Sequence, residues 1–412
     1  MKLTGRKMLE RFEQVLVFGE EEMERRWALA RQVMQEQEAD YLIVLEGSYE
    51  GYNHWFMGNR ECEAILVPKE GNLIVVLGRE VSQEEVYQPE RPVNSEKWIA
   101  RKPVQPVHSN LRFVDTFDAR DILSGCEKKS GLRIAMIHPE VLKNTWYENM
   151  KAVLGEFICF DIGLALDAVR VIKGEEETYL IRQVNKMNEK LMAAAGQIIR
   201  PGRSLKEITD EFQYLAMRLG SGGHFVHVFC LNCGPQDEPS ADGMARRPYP
   251  GLVMQQGDKV FVLIETNGPG GHYSALGRYC ILGEPSAEMK RYWDMAVKAQ
   301  KNAAKMMKPG VSVREIADKN YEYITGCGFL TNQQNYLHSL GFQYGEQPYL
   351  NAPSENTPLQ AGMHYIAHPV IQRPYPGTDA MDGIFALDTY FVTEEGGVRA
   401  NDFPQELIVL PH

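Results

Sequence analysis

No stretch of this 412-residue chain approaches the ~18 uninterrupted apolar residues that would cross a bilayer. The start, Met1-Lys2-Leu3-Thr4-Gly5-Arg6-Lys7, has no hydrophobic run behind it, so no secretory leader is expected. Basic charge is short as well: 44 Lys and Arg stand against 55 Asp and Glu, a net charge of −11, which gives nucleic acid or an anionic membrane no electrostatic footing. Cysteine is sparse. Seven is an odd count with no small-scaffold framework, which suits a reducing compartment. These absences predict a cytoplasmic protein. Hydrophobic residues, at 44%, suffice for two cores in a chain too long for one.

One cysteine cluster invites a metal. His224, His227, Cys230 and Cys233 are spaced by three, and all four are possible zinc ligands. The residues between them, Phe225, Val226, Val228, Phe229 and Leu231, are strand-like, and odd spacing on a strand sends consecutive members to opposite faces. Buried packing residues are the expectation.

Helix and strand signals alternate over residues 1–165, which predicts an α/β domain. Met23, Trp27, Ala30 and Met34 recur at helical spacing in Glu21–Glu36, ahead of the apolar run Tyr41–Leu45. Strands are expected at Ala64–Val67, Leu73–Leu77, Leu132–Ile137 and Phe157–Phe160, with a helix over Val141–Leu154. Polar, Pro-containing sequence over Gln88–Val107 reads as a long surface loop. A charged, helix-prone stretch, Glu175–Ile199, opens a second domain over residues 166–412.

That second domain carries an internal repeat. Pro201-Gly202-Arg203-Ser204-Leu205-Lys206-Glu207-Ile208 returns as Pro309-Gly310-Val311-Ser312-Val313-Arg314-Glu315-Ile316. Each copy places a Ser N-cap three residues before a Glu, so each should start a helix through a capping box after a Pro-Gly turn. Two copies are too few for a solenoid and point to two similar halves with a site at their interface.

Five stretches carry a family resemblance: Gly257-Asp258-Lys259-Val260; Gly271-His272-Tyr273-Ser274-Ala275-Leu276-Gly277-Arg278; Lys308-Pro309-Gly310; His338-Ser339-Leu340-Gly341; and Gly362-Met363 leading to His368-Pro369. Together they resemble the pita-bread superfamily of aminopeptidase P, prolidase, methionine aminopeptidase and creatinase. Leu166-Asp167-Ala168-Val169-Arg170 and Lys173-Gly174-Glu175-Glu176-Glu177 resemble the junction between that family's two domains. The resemblance implies an α+β pita-bread C-terminal domain, with duplicated helix-strand halves around a curved antiparallel sheet.

The metallopeptidases of this family hold two divalent ions with two Asp, one His and two Glu. By resemblance the first Asp falls within a residue or two of Glu265, the second is Ala275, the His is Phe342, and the two Glu are His368 and Leu387. Ala, Phe and Leu donate nothing to a metal, so no dinuclear site and no cofactor are expected. Tyr273-Ser274-Ala275-Leu276 resembles the matching stretch of creatinase, which works without metal. Creatinase grips its guanidinium with two Glu and uses an upstream His; here those places hold Gly277, His368 and Arg246, so creatine is a poor fit.

The candidate site follows from what remains. His338 matches the first His of the family's His-x-x-Gly-His motif, and His338 and His368 are candidate acid/base groups with Glu265 as anchor. Arg278, Arg246, Phe342 and Glu346 are candidate substrate contacts, Glu346-Gln347-Pro348 resembling the family's His-Glu-x-Pro segment. Arg60, after Tyr52-Asn53-His54-Trp55-Phe56-Met57-Gly58-Asn59, resembles the Arg that creatinase-like subunits lend to each other to bind a carboxylate, which implies a homodimer with a shared site. Each of these residues also has an inert reading as packing or surface. Three functions stay open: a metal-independent hydrolase or lyase cleaving a carbon-nitrogen bond of a small carboxylated substrate; a non-catalytic protein that binds a small molecule or another protein; and a metalloenzyme with one ion on His338, His368 and Glu265.

Overall fold

The computed structural model describes residues 18–45, 51–57, 62–78, 111–123, 131–221, 226–240, 251–268, 271–332, 335–343 and 345–410. Arg60, Arg246, His224 and the expected loop at 88–107 lie outside the described residues. The chain divides into two compact units that part between Arg170 and Val171.

In the first unit, β1 (Tyr41–Leu45), β2 (Ala64–Pro68), β3 (Leu73–Val76), β4 (Leu111–Val114), β5 (Leu132–Ile137) and β6 (Phe157–Asp161) form a mixed sheet in the order β4-β3-β2-β1-β5-β6. Around it run helices α1 (Glu20–Glu36), α2 (Tyr52–Met57), α3 (Ala119–Ile122), α4 (Asn144–Leu154) and α5 (Gly163–Arg170). The helical spacing read in α1 is its buried stripe: Met23, Trp27, Ala30 and Met34 are all enclosed, and the Trp27 indole donates to the Phe56 carbonyl at 2.8 Å. The helix expected from Val141 starts later, at Asn144. His138 enters at φ 60°, and Pro139–Val141 close a 3-10 turn instead.

The second unit holds α6 (Glu175–Ala193), α7 (Ala195–Ile198), α8 (Leu205–Arg218), α9 (Ala287–Met306) and α10 (Val313–Gly326). Its strands are β7 (Val226–Pro235), β8 (Asp258–Asn267), β9 (Tyr273–Leu282), β10 (Asn335–Ser339), β11 (Glu346–Tyr349), β12 (His364–Pro369), β13 (Ile371–Pro374), β14 (Met381–Ile384), β15 (Asp388–Thr393), β16 (Gly396–Arg399) and β17 (Ile408–Leu410). One sheet runs β17-β9-β8-β7, a second β11-β10-β12-β15-β16, and β13 pairs with β14 as a hairpin.

The repeat is a duplication of backbone as well as of sequence. Ser204 bridges Val253 and Ser312 bridges Pro358; the Gly257 amide donates to Leu282, and the Gly362 amide to Val392. Five residues upstream of those two acceptors lie Gly277 and Leu387, and these two bridge each other, with the Gly277 amide donating to the Leu387 carbonyl at 2.9 Å. The two halves therefore meet at equivalent points. Gly277 has no room for a side chain: a Cβ would lie 2.5 Å from Phe261 Cζ and 2.9 Å from Leu387 Cβ. The capping boxes differ. Ser204 exchanges both bonds with Glu207, whereas Ser312 caps Glu315 but the Glu315 carboxylate turns to Lys319.

Local geometry corrects one reading of face. A register shift between Leu231 and Gly234 on β7, with Asn232 at φ 50°, returns Cys233 to the same buried cluster as Cys230. Strict alternation had put them on opposite faces.

Candidate functional site

On β12, Tyr365 and Ala367 pack with Ala303 of α9 and Met307 just after it, so alternation turns His364, Ile366 and His368 to the other face. His338 on β10 is register-paired with Ile366 and shares that face. The His338 and His368 rings stand edge to face, their centroids 5.8 Å apart. The same face is lined with apolar side chains. Leu263, Ala275, Ile366, Phe385 and Leu387 belong to one buried cluster that spans both halves, and the Phe385 ring lies 5.6 Å from His368. Glu265 is 5% exposed, a buried residue and not a solvated strand end, and pairs in register with Ala275 on one side and His227 on the other.

Burial sets the protonation of the pair. Loss of water pulls the His338 imidazole down to about 4, against a small upward pull from the Ser339 carbonyl. His368 falls well below its ordinary range, first through burial and then through His338 beside it. Both rings are neutral at pH 7. His338 Nδ1 lies 3.2 Å from the Ser339 carbonyl, so the tautomer that donates there leaves Nε2 as the basic nitrogen.

Other expected contacts fall elsewhere. The Arg278 guanidinium donates to the Pro404, Gly277, Leu387 and Phe403 carbonyls and to Asp388 at 2.7 Å, with no exposed surface, the bonding of a structural tie. Asp388, the carboxylate beside Leu387, is thereby committed to the fold. Phe342, equated with the ligand His, packs its ring on His272 at 3.9 Å, and it is His338 whose ring stands against His368. Glu346 is likewise enclosed, accepting from Lys173 at 2.5 Å and from the Phe342 amide at 3.1 Å. At Gly341 any side chain would overlap the Glu346 carboxylate, which explains the glycine.

Sequence reasoning gave no role to Lys173, Glu177, His272 and His364. Glu177 caps Gly174 at the start of α6 and pairs with His272 at 3.1 Å, both fully enclosed. A signal for His364 existed in His364-Tyr365-Ile366-Ala367-His368, where even spacing on a strand puts both imidazoles on one face.

A two-metal centre does not fit these residues. Ala275 and Leu387 carry no donor atom, and among the described residues no group of three or more His, Cys, Asp or Glu converges where an ion could sit. Nor does any helix among them have the length and apolarity to cross a membrane.

Comparison with known proteins gives a consistent lineage. The chain is 27% identical over 252 residues to the probable dipeptidase PepE of Mycobacterium tuberculosis, a match covering 60% of this chain and 62% of that relative's length. It is 24% identical over 365 residues to the Xaa-Pro dipeptidase of Pyrococcus horikoshii, covering 86% of this chain and 96% of the relative. The crystal structure of dipeptidase PepE from Mycobacterium ulcerans superposes with a TM-score of 0.70 at 21% identity, covering 96% of this chain and all of that one, so the fold is the pita-bread architecture behind an N-terminal α/β unit. Residues 179–402, more than half of the sequence and nearly all of the duplicated unit, match metallopeptidase family M24, and the chain belongs to that family.

Proposed function

We propose that this chain is a hydrolase that works without a metal ion and cleaves a carbon-nitrogen bond of a small carboxylated substrate. The observation that carries the reading is the His338–His368 pair, two neutral imidazoles side by side on the face between the halves. His338 Nε2 takes a proton from a water as the water oxygen bonds to the carbon attached to the scissile nitrogen. The same proton passes to that nitrogen as the carbon-nitrogen bond breaks, leaving an amine, an oxygenated product and a neutral imidazole. His368 orients the water or shares the proton. Arg60 from a second copy of the chain would hold the carboxylate, which makes the working form a homodimer.

The relatives' names describe dipeptidases and Xaa-Pro dipeptidases. Unaided water, with a pKa of ~15.7, is too weak a nucleophile for an ordinary peptide bond, so a more reactive carbon-nitrogen bond is the better substrate class here. One observation favours a non-catalytic binding role: Leu263, Ala275, Phe385 and Leu387 belong to one buried apolar cluster, and the Phe385 ring lies beside His368.

Elemental analysis of dialysed protein, with turnover of a panel of amino acid amides, guanidino acids and Xaa-Pro peptides in the presence of a chelator, tests the reading. Chelator-insensitive turnover of a small carboxylated substrate with no stoichiometric metal is the expected result. Two equivalents of divalent metal per chain would overturn it, and one equivalent would move the chemistry to an ion on His338, His368 and Glu265.

A further inference from the structure

Gln300, on α9, has no exposed surface, and its amide is paired at both ends. Its Nε2 donates to the Ala367 carbonyl at 2.8 Å and to the Ala386 carbonyl at 3.0 Å, which uses both amide hydrogens. Its Oε1 accepts from Gln405 Nε2 at 2.6 Å, and the same nitrogen of Gln405 donates to Asp388 Oδ2 at 3.0 Å. A flipped amide would set its oxygen against two carbonyl oxygens, so the network fixes one orientation.

The two carbonyls border a gap in the sheet. Pairing between their segments stops at Ala367–Asp388 and resumes only at Ile371–Ile384, leaving residues 368–370 and 385–387 unladdered against each other. Pro369 has no N–H to offer, and Leu387 is turned to Gly277 of the other half. The His368 and Phe385 rings meet in this gap, 5.6 Å apart. Gln300 reaches in from α9, on the Ala367 side of β12, so its hold on those rings runs through the main chain.

We infer that Gln300 is a positioning residue for His368. Tying the carbonyl before His368 to Ala386, the residue after Phe385, the amide takes the place of the missing ladder bonds. It thereby fixes where the imidazole stands against Phe385 and against His338, whose ring centroid is 5.8 Å away. The inference rests on the acid/base reading of the His338–His368 pair. Gln405 extends the strap to the Asp388 carboxylate, which Arg278 of the first half also binds at 2.7 Å. Without the amide, two enclosed carbonyls lose a partner, and the segments that carry the rings are free to part.

Gln300→Met has a similar length and no donor. In protein with labelled histidine rings, assigned by His368→Asn, the His368 signals in NMR should move while those of His272 and His364 stay. On a panel substrate that the native protein turns over, kcat should fall about 10- to 100-fold at unchanged KM, the signature of a misplaced group and not of lost binding. Should Gln300→Met fail to fold, Gln405→Leu reports from the half-buried end of the strap: the His368 signals should move in the same direction by less. Unmoved His368 signals in a folded variant would overturn the inference, as would equal movement of all three histidines, which marks a general loosening. Where the native protein turns over nothing in the panel, the acid/base reading falls, and the ring signals still decide whether Gln300 places His368.

Discussion

The two halves of the second unit share a backbone and differ in what they place on the face between them. From β8 and β9 come Leu263, Ala275, Gly277 and the buried carboxyl group of Glu265. From β10 and β12 come His338, His364 and His368. The matched points make β9 the counterpart of β15 and β8 the counterpart of β12, so the difference is one of side chains on similar scaffolds. The apolar first half contributes packing: burying one Leu fully stabilises by roughly 1.5–3 kcal/mol. The second half places His338, His364 and His368 there at a cost in desolvation, and the first half places His227, paired in register with Glu265.

The sharpest way to break that division is to remove the titrating groups. His338→Asn keeps a hydrogen-bonding side chain of similar size but cannot accept a proton, so turnover should fall about 100-fold or more with the melting profile retained. His368→Asn should also lower turnover, and if the residue only fills space the loss should sit in KM and not in kcat. Equal activity of both variants would return the chemistry to the first half or leave a binding protein.

Acid should separate the halves next. His338 titrates at about 4 in the fold against ~6.5 in an unfolded chain, so between those values the unfolded chain binds more protons. Its contribution to stability is fully present above about pH 6.5 and is lost as pH falls toward 4, an effect on the order of 2–3 kcal/mol. His364 and His368, whose proton affinities are lowered in the same direction, add to it. Hydrogen exchange at pH 5 should therefore show β10 and β12 opening before β8 and β9, and His338→Asn should flatten the dependence of urea midpoint on pH.

What the sequence disclosed follows the range of each interaction. The helix starts at Ser204 and Ser312 and the stripe of α1 depend on residues within a turn of one another, and they were legible. The His338–His368 pair was legible through motif order, because the two positions sit on neighbouring strands of a recognised fold. The Lys173–Glu346 bond joins residues 173 positions apart, and no local pattern marks it. Arg278 looked like a site residue because its motif lies beside the site, yet alternation along β9 turns it to the opposite side from Ala275 and Gly277. Cys233 was assigned the wrong face because a single extra residue in β7 resets the alternation, and nothing in the composition announces that bulge.

The contact between equivalent points tests the duplication itself. A methyl group at Gly277 would meet Phe261 at 2.5 Å and Leu387 at 2.9 Å, both in the shared cluster. Overpacking of this kind costs typically 1–3 kcal/mol, so Gly277→Ala should lower the urea midpoint by a corresponding amount. Combining it with Leu387→Ala should cost less than the two changes added separately, since the second makes room for the first. Strict additivity would mean that the halves do not meet at these residues.

The smallest effect concerns the helix starts, where the halves again differ on equal backbones. At α8 the Ser204 hydroxyl accepts from the Glu207 amide and the Glu207 carboxylate accepts from the Ser204 amide at 2.9 Å; at α10 only the first of these bonds is present. A Ser N-cap replaced by Ala typically costs about 1 kcal/mol. Ser204→Ala leaves the Glu207 carboxylate able to accept from the backbone amide of residue 204, so α8 keeps half of its box, while Ser312→Ala strips α10 of its only side-chain cap. The loss should therefore be larger at Ser312, although the intact box at Ser204 is the stronger of the two. Thermal melts of the two single variants decide it: a larger loss at Ser204 would show that the reciprocal bond depends on the Ser hydroxyl, which also donates to Glu207 at 2.8 Å, and that the box acts as one unit.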